Sequence, residues 1–64
     1  MKVYRAERVE TYGGAVIENV LVHFPCGVYQ GFVMVIDDKK QITDFYNSSE
    51  IKWLRNIVPE SYDA

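Results

Sequence analysis

The stretch from Ala15 to Ile36 limits the fold more than any other part of the chain. Residues 15–24, "AVIENVLVHF", and 28–36, "VYQGFVMVI", read as two strands, with Pro25, Cys26 and Gly27 between them. Side chains alternate between the two faces of a strand. In the first strand, Val16, Val20, Val22 and Phe24 share one face with Glu18, while Ile17 and Leu21 share the other with Asn19 and His23. In the second, Val28, Phe32, Met34 and Ile36 oppose Tyr29, Val33 and Val35. Neither face is polar, whereas a sheet wetted on one side alternates cleanly. Either both faces are covered, or a bulge at Glu18-Asn19 shifts the register and a wet face tolerates the apolar residues.

The chain has little with which to cover two faces. Sixty-four residues make one domain spanning 1–64. A domain of that size buries only about 60% of the surface its unfolded chain exposes. Small domains usually add a disulfide, a metal or a partner subunit. One cysteine closes no internal disulfide, and Cys26 with the single His23 cannot fill a four-ligand zinc site without carboxylates. No cofactor or metal is therefore expected, and association becomes the expected remedy. A homodimer would place Leu21, Val33 and Val35 near a two-fold axis, or pair residues 2–10 with their own copy.

The remaining segments complete the reading. Residues 2–10, "KVYRAERVE", suit a charged edge strand. Gly13-Gly14 marks a hairpin turn, and "DDKK" at 37–40 marks another. Residues 41–47 alternate as a further strand. The period then changes. Asn47 or Ser48 can cap a helix, with Glu50 placed for a capping box. Ile51, Leu54 and Val58 fall on one helical face, and Pro59 ends it. The expected fold is thus α+β: a four-stranded antiparallel β-meander with one C-terminal helix. The alternative is a small SH3-like or OB-like β-barrel in which the helix shrinks to one turn.

The chemistry-bearing residues favour no reaction. His23 and Cys26 flank a chain reversal, but no neighbouring carboxylate orients the imidazole and no helix N-terminus activates the thiol. Asp37 and Asp38 are followed by Lys39 and Lys40, which suits a solvated turn better than a calcium site. Gly27 and Gly31 belong to no phosphate-binding motif. No carboxylate pair sits in an apolar setting that would raise one pKa for acid catalysis. The expectation is a protein that is not an enzyme.

Binding remains. The hydrophobic share of 48% is too high for a disordered chain. A net charge of −2 gives no strong pull toward nucleic acid or an anionic membrane. Tyrosine and tryptophan are enriched at the energetic centres of interfaces. The sequence therefore points to a complete small gene product that binds a protein as a regulator, inhibitor or subunit, or binds itself as a homodimer. Its contact residues would be Tyr29, Val33 and Val35 of the sheet and Trp53 of the helix. The alternative is nucleic-acid binding through Arg5, Arg8 and the sheet tyrosines, or acidic mimicry that blocks a nucleic-acid enzyme. No apolar run is long enough for a membrane span, the charged start "MKVYRAERVE" does not resemble a leader, and a lone thiol suits a reducing compartment. The expected location is cytoplasmic.

Overall fold

The computed structural model describes residues 2–25 and 31–61. They form β1 (Lys2–Thr11), β2 (Val16–His23), β3 (Phe32–Asp37), β4 (Ile42–Asn47), a 3-10 turn at Ser48–Glu50, β5 (Ile51–Arg55) and β6 (Val58–Ser61). All pairings are antiparallel. The strand order is β4-β3-β2-β1-β5, with β6 also pairing β1. The expected α+β fold is corrected: the described residues form an all-β domain whose one helical feature is the 3-10 turn.

The two hairpins follow from local chemistry. Gly14 takes φ 94, which an L side chain resists, and its N–H donates to the Thr11 carbonyl at 3.1 Å. The Thr11 N–H donates to the Ala15 carbonyl at 3.0 Å, and the buried Thr11 hydroxyl accepts the Ala15 N–H at the same distance. At the other turn, the Asp37 carboxylate accepts the N–H groups of Lys39 and Lys40, both at 3.2 Å.

The C-terminal segment shows why a helical pattern became a strand. The capping pair exists: Asn47 Oδ1 accepts the Ser49 N–H, and Glu50 Oε1 accepts the Asn47 N–H, each at 3.3 Å. It caps one 3-10 turn only. Beyond it, β5 pairs with β1 through Glu10↔Trp53 and Thr11↔Ile51. Lys52 is therefore an extra residue, a bulge that turns the strand period of two into a spacing of three. Ile51 and Leu54 both pack on the core for that reason, not because they share a helix face. Asn56 at φ 53 separates β5 from β6. Pro59 sits in the four-residue β6 opposite Tyr4, an outer position that tolerates a missing N–H. An isolated helix of this length gains too little in water to compete with those pairings.

The short connection from β4 to β5 rolls the sheet. Asn47 lies opposite Phe32, which a flat sheet would place level with the start of β1. Ile51 pairs with Thr11, at the other end of β1. Flat geometry would separate them by more than about 30 Å. The three-residue link reaches about 14 Å at most. The sheet must coil until the end of β4 comes within reach of the start of β5, the strands meeting at this turn and not edge to edge. Two backbone hydrogen bonds fix the meeting: Ser48 N–H to the Gly31 carbonyl and Tyr12 N–H to the Glu50 carbonyl, both 2.9 Å.

Rolling encloses one apolar face. Ala6, Val9, Val20, Val22, Val33 and Val35 form the inner cluster, with Tyr4, Ile17, Phe24, Tyr46, Ile51 and Leu54 packed around it. Ala6 and Val9 are three apart, as are Ile17 and Val20 opposite them, so both strands exchange faces here. Asn19, at φ 55, sits at the exchange on β2. The pairing register does not slip across it, from Tyr4↔Val22 to Glu10↔Val16. The anticipated irregularity at Glu18-Asn19 is thus a change of face without a change of register.

The opposite face carries a second cluster of Val3, Leu21 and Ile36, with Met34 packed beside it. Both faces of the central strands are therefore buried within one chain. These positions bear on where a second copy could attach. Leu21, Val33 and Val35 are buried within the single chain, and β1 lies between β2 and β5–β6 rather than at an edge.

Leu21 is fully buried. Leu21→Ala is expected to cost about 2–5 kcal/mol, the range for a core leucine. Urea unfolding followed by circular dichroism checks this. A loss under about 1 kcal/mol would show that the outer cluster does not support the fold.

Candidate protein-binding groove

A groove of about 330 Å³ opens beside the rolled seam, lined by Phe24, Val33, Ser48, Ile51, Lys52, Trp53, Leu54 and Ile57. Its walls come from the end of β2, from β3, and from the 3-10 turn and β5. The roll that joins the sheet ends therefore creates the groove as well. Val33 is buried and serves as floor. Trp53 and Ile57 retain 46% and 43% of their exposure and form the rim.

The bulge at Lys52 aims these side chains. Ile51 and Leu54 turn toward the core while Lys52 and Trp53 remain exposed between them. The Arg55 guanidinium stands 4.9 Å from the Trp53 ring centroid, in cation–π range. Glu10 holds that guanidinium at 3.5 Å and Arg8 at 3.3 Å. The tryptophan is thereby supported on one side by charge and remains open to the groove.

Of the anticipated contact residues, Val33 and Trp53 meet in this groove. Trp53 stands on β5, not on a helix. Val35 is buried in the inner cluster and does not line the groove. Tyr29 lies outside the described residues, as does Cys26. Sequence reasoning missed Phe24, Ile51, Leu54 and Ile57 as groove residues. Only a strand reading of 51–58, with the bulge placed at Lys52, could have found them.

Arg5, a candidate phosphate ligand in the sequence, is committed elsewhere. It donates from Nε and Nη2 to Glu60 at 3.3 and 2.8 Å, and from Nη1 and Nη2 to Asp38 at 3.1 and 2.9 Å. Nη1 also approaches the Asn19 carbonyl at 3.4 Å. All five guanidinium N–H groups thus have an acceptor. Arg5 pairs with Leu21 across the strands, Glu60 pairs with Val3, and Asp38 follows the end of β3. The arginine side chain therefore runs along the outer face beside the Val3–Leu21–Ile36 cluster. Two carboxylates on one guanidinium leave no positive field for a phosphate. Arg8 pairs with Glu10, a carboxylate it shares with Arg55.

The hydrogen bonds to Asp38 and Glu60 hold the Arg5 guanidinium above its ordinary pKa. In return, the bonds from Arg5 hold the Asp38 carboxyl below the usual aspartate value. A carboxyl with a lowered folded pKa stabilises the fold above its unfolded value, and that contribution fades as the pH falls through the folded value. The loss is expected below about pH 4, where free aspartate is already half protonated. Asp38→Asn is expected to flatten this acid limb relative to the parent. Thermal midpoints measured between about pH 4 and pH 2 check it. Parallel curves for the two proteins would show that Asp38 gains nothing from Arg5.

The other sequence candidates assemble no site among the described residues. His23 ends β2 opposite Met34, and Asp37 holds the β3–β4 turn. No group of three metal-ligating side chains occurs there, and no helix is long and apolar enough to cross a membrane. The chain matches no protein-family model, no curated protein and no solved structure.

Proposed function

We propose that this protein is a non-catalytic, cytoplasmic binding module whose groove takes a short segment of a partner protein, with a regulator, inhibitor or assembly subunit as its role. The observation that carries this reading is the half-exposed Trp53 and Ile57 at the rim of an apolar groove floored by Val33. Ligand sites are concave and mostly apolar, with few polar groups to set orientation. Here the polar groups are Lys52 and Ser48. The fitting occupant is one apolar side chain carried by an extended segment, with an acidic neighbour for Lys52. The pairing of Arg5 with Asp38 and Glu60 supports a protein partner over nucleic acid.

Trp53 is the single tryptophan, so its fluorescence reports on the groove directly. Peptides selected from a random library on the immobilised protein are expected to shift the Trp53 emission to the blue on titration. Ile57→Asp should weaken their binding at least tenfold while leaving the circular dichroism spectrum unchanged. Selected peptides that bind Ile57→Asp as well as the parent would move the site elsewhere. A salt-dependent complex with single-stranded DNA or RNA, in the absence of peptide binders, would replace the reading with the nucleic-acid one.

A further inference from the structure

The two outer edges of the rolled sheet are built differently. One edge is β5 followed by β6. It carries the Lys52 bulge, the charged Arg55, the break at Asn56 and Pro59. These are the devices by which native sheets discourage strand addition. The other edge is β4, "ITDFYN". It is regular over six residues, pairs only with β3 among the described residues, and bears a single charge at Asp44. Ile42 and Phe45 are 49% and 62% exposed on it, and Phe45 stacks edge-on with the exposed Phe32 at 5.4 Å.

We propose that β4 is a self-association edge, where a second copy of this chain adds its own β4 antiparallel across a two-fold axis. Residues directly opposite in an antiparallel pair share a face. A two-fold axis normal to the sheet must therefore pass through a residue, not between two. An axis at Asp44 would set two carboxylates against each other, which is destabilising. An axis at Phe45 sets Phe45 against its copy on the outer face, Asp44 against Tyr46, and Thr43 against Asn47. Each pair is compatible: two rings, a carboxylate beside a phenol, and two small polar groups. Axes at Thr43 or Tyr46 would pair only half of β4, so of the two registers that pair most of the strand, charge excludes the one at Asp44 and leaves the one at Phe45, in which the strand is complementary to itself. A six-residue edge buries little area, so the dimer is a weak one. This interface is separate from the groove and does not depend on its occupant.

The register makes a sharp test. Only the residue on the axis faces its own copy, so only there do two cysteines come within disulfide distance. In a Cys26→Ser background, Phe45→Cys is expected to form a disulfide dimer on mild oxidation, while Thr43→Cys and Asp44→Cys remain mostly monomeric. Sedimentation of the parent should show a reversible monomer–dimer equilibrium. Phe45→Lys should raise its dissociation constant at least tenfold, with the dilute monomer's melting curve unchanged. A parent that stays monomeric at millimolar concentration overturns the proposal. So does equal cross-linking at all three positions, or preferential cross-linking at Asp44.

Discussion

The three-residue turn between β4 and β5 is the constraint on which the rest of the structure depends. It joins strands at opposite ends of a five-strand path, and hydrogen bonds to Gly31 and Tyr12 hold it to both. A flat sheet cannot satisfy so short a link. The roll it forces buries the inner valines within the chain itself. The roll also places Trp53 and Ile57 next to Val33, so the groove is a by-product of closure.

The outer face is closed by a different device. Arg5 reaches from β1 to Asp38 after β3 and to Glu60 on β6, with every donor satisfied. Ion pairs at exposed positions contribute little stability. This one is partly sheltered and bidentate on both sides, and it fixes the positions of three segments distant in sequence. Its value lies as much in register as in energy, because Glu60 and Asp38 define where β6 and the β3–β4 turn must lie.

Much of the sheet was legible in the sequence, and the reason lies in turn chemistry. Gly14, Asp37 and the alternation of residues 41–47 placed the first hairpin, the second turn and β4 within a residue or two of the structure. The end of the chain was not legible. Ile51 and Leu54 have helical spacing, and Asn47 and Glu50 form a true cap, yet a bulge at Lys52 gives the same spacing in a strand. Periodicity alone does not distinguish a bulged strand from a short helix. That one error removed the strand that closes the sheet, and so left an apolar face that seemed to need a partner. Trp53 is expected as a contact residue from its type and stands in the groove, while its neighbours there depend on the missed strand.

The central claim is that one chain covers its own inner face by rolling. Amide hydrogen exchange in the dilute monomer tests it most directly, at the N–H groups of Ser48 and Tyr12 that tie the ends together. Both amides are expected to exchange as slowly as those of Val20 and Val35 in the central strands, with protection unchanged on further dilution. Exchange of Ser48 and Tyr12 at the rate of an unfolded chain, or protection of the central strands that falls with dilution, would contradict the account.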